Sequence, residues 1–143
     1  MITPKYVGRS DSLWRGKIQA SAQTVSRILA SEEFFTKCRS LRLSRTNGKS
    51  VDEVCRQLAC SGKIIPAISF YHDPDSRFIA YASGGTLFIN TAKTTAGSPG
   101  NLAHEVAHTL GYSHFSNRRL FGMSSVPYRI GDLVTKLVNA LDR

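Results

Sequence analysis

Residues 101–119 read NLAHEVAHTLGYSHFSNRR, and His104, Glu105, His108 and His114 fall within eleven residues of that stretch. The run from Asn101 to Leu110 has the composition of a helix, and Gly111 stops it. On a helix, His104 and His108 stand four residues apart, so both imidazoles project from one face about a turn apart and can share one metal ion. Glu105 lies beside the first of them, offset from that ligand face but within reach of a water at the metal. A glycine three residues after His108 can adopt positive φ and send the chain back. His114, three residues beyond, can then come under the ion as a third ligand. Two histidines, a glutamate, a glycine and a third histidine at fixed offsets arise by chance on the order of once in 10⁸ start positions. Burying the pair in a core is a poor alternative, because Glu105 would go with them unpaired.

Working outward, Ser98-Pro99 is a helix start with proline in the first turn, and Asn101 is a rival cap. Before it, RFIAYAS (77–83), Gly84-Gly85 and TLFINTA (86–92) read as a β-hairpin. KIIPAISFYH (63–72) is β-rich, and its Pro66 marks either an edge or a strand entry. Asp73 and Asp75 sit in a turn whose spacing is not that of a calcium-binding EF-hand. The first sixty residues read as helices. Leu13, Ile18, Ala22, Val25, Ile28 and Leu29 recur at helical steps, and Ser31-Glu32-Glu33 marks a fresh start, so residues 12–41 form one bent helix or two. RTNGKS (45–50) is a turn. Ser50 with Glu53 forms a capping box for a helix carrying Val51, Val54, Leu58 and Ala59, with Gly62 as its stop. A closing helix from about Tyr128 carries Ile130, Leu133, Val134, Leu137, Val138 and Leu141 on one stripe. The expected fold is α/β, of the α+β type: a small twisted sheet with helices packed on it, in a single domain spanning residues 1–143.

At 143 residues, 41% apolar and 20% charged, the chain can bury one core. Its net charge of +9 is scattered along the sequence. Without a basic stripe interleaved with aromatics, no nucleic-acid partner is expected. No apolar run reaches the ~20 residues of a membrane helix. The N-terminus lacks the apolar core of a secretory signal, so the chain is either not exported by that route or a mature form. Cys38, Cys55 and Cys60 are odd in number and share no metal-ligand spacing. Buried free thiols are expected, with a link from Cys38 to Cys55 or Cys60 as the alternative.

HEVAHTLGYSH (104–114) resembles the HExxHxxGxxH signature of the metzincin zinc metallopeptidases at every fixed position. These proteins carry a methionine turn beneath the metal, and Met123 lies nine residues after His114, in LFGMSSVPY. That short gap resembles the matrixin branch. The resemblance covers about residues 101–128, extends more weakly to GGTLFINTA as a cleft-lining edge strand, and does not reach the first sixty residues. It implies one zinc ion bound by His104, His108 and His114, with Glu105 as general base and acid and Met123 packed beneath the histidines. Some metzincins place a tyrosine two residues after the methionine; that position here is Ser125, and the nearest tyrosine is Tyr128.

Three neutral imidazoles leave zinc a fourth position, the mark of a catalytic site. An exposed edge near TLFIN would pair with an extended peptide, making a peptide or protein the expected substrate of a monomeric zinc endopeptidase. The alternative is a catalytically weak or inactive zinc-binding module serving a protein partner.

Overall fold

A computed structural model of the chain describes residues 5–8, 11–61, 67–114 and 124–143, among which four strands and five helices form an α+β fold. In chain order these are β1 (Lys5–Tyr6), α1 (Ser12–Leu29), α2 (Glu32–Arg39), α3 (Val51–Ser61), β2 (Ala67–Tyr71), β3 (Ala80–Ser83), β4 (Thr86–Asn90), α4 (Pro99–Thr109) and α5 (Val126–Leu141).

The helix boundaries follow local chemistry. Asp11 caps α1 by accepting from the backbone N–H of Trp14, and Ser31 caps α2 by accepting from that of Phe34. Residues 12–41 therefore hold two helices. Glu53 and Ser50 form the reciprocal pair of a capping box at α3. The stop expected at Gly62 lies outside the described residues. The apolar face of α1 runs Trp14, Ile18, Ala22, Val25 and Leu29. Leu13, expected on that face, falls one position off the stripe and is 68% exposed, while Trp14 takes the buried place. The last helix begins at Val126, two residues early, because Pro127 is accommodated in its first turn. Ile130, Leu133, Val134 and Leu137 are buried as expected, but Leu141, the last residue of the helix, is exposed.

The sheet order is β1-β2-β4-β3, with β1, β2 and β4 parallel and β3 antiparallel to β4. The hairpin forms as expected, both glycines of its turn having positive φ. β2 starts directly after Pro66 and runs between β1 and β4, so of the two readings of that proline, edge or strand entry, strand entry holds. One strand position differs from expectation. TLFIN, expected at the edge, is β4, covered by β2 on one side and β3 on the other. The edge is the other arm of the hairpin, β3. Hairpin periodicity alone cannot say which arm receives a third strand.

Ile68, Phe70, Leu87 and Ile89 point to one side of the sheet and join a single hydrophobic cluster with residues of all five helices. Tyr71, Tyr81 and Phe88 stack on the other side. Cys38 and Cys55 form a disulfide joining α2 to α3, their Cα atoms 6.0 Å apart. Of the three thiols expected to be free and buried, only Cys60 is free, and it is exposed. Two helices brought side by side by their apolar faces put the first pair within bonding range. Asp73, weighed above as a calcium ligand, accepts from the backbone N–H groups of Asp75 and Ser76, the ordinary work of an aspartate in a turn. Among the described residues no helix is long and apolar enough to cross a membrane.

α4 lies against α5 at unusually close range, and two glycines permit it. A methyl group at Gly100 would stand 2.0 Å from Thr135 Oγ1 and 2.9 Å from the Gly131 carbonyl oxygen. Gly131 faces back at the Gly100 carbonyl and at Cβ of His104. Gly100→Ala should therefore wedge the helices apart and lower stability by about 1–3 kcal/mol, as overpacking does. Chemical denaturation measures it; an unchanged midpoint would mean the crossing adjusts without cost.

Candidate metal centre

Ser98 caps α4, accepting from the N–H of Asn101, and Pro99 occupies the first turn; Asn101 is not the cap. Its side chain instead donates to the carbonyl of Thr95. The helix places His104 and His108 on one face, with Nε2 of one 3.2 Å from Nε2 of the other. At its end the Gly111 N–H donates to His108 O and the Tyr112 N–H to Ala107 O, the paired bonds of a Schellman turn. Gly111 has φ +95°, a left-handed conformation that costs a side-chain-bearing residue about 1–2 kcal/mol. The chain reverses there and returns His114 to the helix face. The ring centroid of His114 lies 5.2 Å from that of His104 and 4.7 Å from that of His108.

The three imidazoles offer nitrogens that all lie within 4.8 Å of one another. A tetrahedral ion with bonds of roughly 2.0–2.1 Å holds its ligand atoms about 3.3 Å apart, and the 3.2 Å between His104 and His108 nearly meets that. The protonation pattern fits as well. Nδ1–H of His108 donates to the Tyr112 carbonyl at 2.8 Å. The proton is thereby held on Nδ1, and Nε2 presents a lone pair toward the other rings. Burial holds this imidazole below its ordinary pKa, the Tyr112 hydrogen bond opposing that effect and His114 adding to it. A neutral ring is the form that binds a metal.

Glu105 is 7% exposed, and its Oε2 is buried with no hydrogen-bond partner among the described residues. Its other oxygen stands 4.0 Å from His104 Nε2. A buried carboxylate oxygen without a donor is costly, and the cost appears as a carboxyl pushed by burial up to about 7. A water or cation beside the triad would relieve it. The structure thus brings together all four residues expected at the site. Met123 lies outside the described residues.

These groups line a cleft of about 550 Å³. One wall is the loop from Arg77 and the edge strand β3; the other is α4 and α5, including Tyr128 and Asp132. Tyr128 packs its ring against His104 and His114, with centroids 4.8 and 4.5 Å away. Asn90 at the end of β4 is fully buried. It donates to Asp73 O and Phe78 O and accepts from the N–H groups of Asp73 and Ala92, which ties down the loop that forms the cleft wall. Neither Asn90 nor the Tyr112 carbonyl was singled out in the sequence. A backbone acceptor carries no side-chain signal, and a polar residue at the end of an apolar strand is the only mark that Asn90 leaves.

No protein-family model matches the chain, and neither curated proteins nor solved structures yield a match.

The buried carboxyl gives a pH signature in protein stripped of metal. Its native pKa of about 7 exceeds the ordinary 4.5, so the folded state holds that proton more tightly than the unfolded state. The resulting stability is fully present below about pH 4.5 and is lost as pH rises through about 7, a change of about 3 kcal/mol. Denaturation of wild type and Glu105→Gln between these limits should show the wild type losing that much relative to the variant. Parallel pH profiles would place Glu105 in a wetter setting.

Proposed function

We propose that this chain is a zinc-dependent endopeptidase of the metzincin type. The observation that carries the reading is the convergence of three histidine nitrogens within 4.8 Å beside a buried glutamate oxygen that has no partner among the described residues, in the wall of an open cleft. The HExxHxxGxxH spacing and the glycine reversal that returns His114 to the helix face support it.

Zinc held by three neutral imidazoles supplies Lewis acidity, which polarises a carbonyl and acidifies water. The protein's own contribution is proton handling and orientation. Glu105, with a carboxyl poised near neutrality, accepts a proton from the attacking water and delivers it to the departing amine. Burial keeps that carboxylate dry and strengthens its hold on the transferred proton. His108 is fixed in one tautomer by Tyr112, and His104 and His114 are steadied by the ring of Tyr128. β3, the edge of the sheet among the described residues, can pair its outer side with an extended substrate, which favours a peptide over a small molecule.

Protein purified without chelator should carry close to one zinc per chain, and His108→Ala should lose it by elemental analysis. Glu105→Ala should keep zinc and fold but lose about 10²–10⁴-fold in peptide hydrolysis. Loss of zinc in that variant would make Glu105 structural, and unchanged turnover would remove it from the reaction. Wild type that holds zinc yet cleaves nothing in a broad peptide library would leave a zinc-binding module serving a protein partner. Tyr128→Phe separates hydroxyl from ring: a tenfold fall in kcat with KM unchanged marks the hydroxyl as a donor to the developing oxyanion. Unchanged kinetics leave only the packing of the ring.

A further inference from the structure

The turn between α2 and α3 contains two left-handed residues that are not glycine, Arg45 at φ 56° and Asn47 at φ 55°, followed by Gly48 at φ 79°. Asparagine tolerates this conformation; arginine has no such excuse and costs about 1–2 kcal/mol there. Strain of this kind persists only where surrounding contacts enforce it. Here the contacts lead to the metal-binding segment. The Arg45 guanidinium donates through Nε and Nη2 to Ser113 Oγ, at 3.3 and 3.2 Å. Asn47 Nδ2 donates to the carbonyl of Gly111 at 3.1 Å. Lys49 reaches Gln57 Oε1, the same atom that accepts from the buried Tyr112 hydroxyl. On the far side of His114, the backbone N–H of Ser44 donates to Ser124 O at 2.9 Å, and the hydroxyls of Ser44 and Ser124 meet at 2.8 Å.

One short turn therefore grips residues 111–113 immediately before the third ligand and residue 124 just ahead of α5. His104 and His108 need no such help, being rows of one helix. His114 is on neither helix nor strand, so the contacts that hold its neighbours contribute to its place. We infer that Arg45 and Asn47 are positioning residues for the metal centre: their left-handed backbone aims two side chains at the Gly111–Ser113 reversal and so presets the third histidine.

This inference rests on the zinc reading above, and its test separates the two. Asn47→Gly keeps a backbone that accepts positive φ but removes the amide donor. Ser113→Ala removes the acceptor of Arg45 without touching the strained turn. Each variant is titrated with zinc against a chromophoric chelator, its cobalt-substituted form is examined by visible absorption, and its metal-free form is melted. Outer partners of ligands typically contribute 10–100-fold in metal affinity. The double variant should bind zinc about 10–100-fold more weakly and show altered cobalt ligand-field bands, while the metal-free melting temperature stays within a degree or two of wild type. Wild-type zinc affinity and an unchanged cobalt spectrum in the variants would overturn the positioning role and leave the zinc site intact. A fall in melting temperature that accounts for the whole affinity loss would also overturn it, reducing the turn to ordinary fold support. Wild type that takes up no metal would remove the zinc reading and this inference together.

Discussion

The positive φ at Gly111 is the constraint on which the candidate site depends. It closes α4 with two backbone hydrogen bonds, turns the Tyr112 carbonyl onto His108, and starts the return that brings His114 to the face already carrying His104 and His108. A β-branched residue there would strain the backbone, and the reversal would open. Helix end, tautomer and the approach of the third histidine would then fail together, because one dihedral angle serves all three. Tyr112 makes the reversal rigid. Its ring is buried and its hydroxyl is bonded to Gln57 on α3, so the turn cannot lift without exposing an aromatic side chain.

Around this point the site balances costs that a purely structural helix would avoid. Glu105 Oε2 is buried without a donor among the described residues, and three imidazoles crowd one another and Tyr128. The tight crossing of α4 on α5 at Gly100 and Gly131 tolerates no extra methyl group, which fixes the wall that carries Tyr128 relative to the wall that carries the histidines. Departures from local preference of this kind concentrate where a protein does chemistry.

How much of this was legible in the sequence depends on range. His104, Glu105, His108, Gly111 and His114 could be read together because a helical face and a glycine stop are local devices. The caps at Ser31, Ser50 and Ser98 and the hairpin around Gly84-Gly85 were legible for the same reason. What was not legible is long-range. Whether β3 or β4 lies at the edge depends on β2 docking beside β4, across an intervening strand. The Cys38–Cys55 bond depends on the packing of α2 against α3. The grip of Arg45 and Asn47 on Ser113 and Gly111 joins residues more than sixty apart, and RTNGKS by itself signals only a turn. Leu13 stands five residues before Ile18, off the four-residue row, and Trp14 stands four before it and takes the buried place.

The Cys38–Cys55 bond and the turn at residues 44–49 stand in a relation that neither reveals alone. The bond closes a covalent ring of sequence separation 17, and the turn that grips the reversal at Gly111–Ser113 lies inside that ring. Ring closure withdraws chain entropy from any state in which α2 and α3 come apart, worth about 3 kcal/mol for a loop of this size. The two left-handed residues are thus held by a ring too short to wander far, even when the helices breathe. The Cys38–Cys55 bond in the helical half of the molecule is thus a covalent tether on the turn whose side chains hold the segment just before the third histidine.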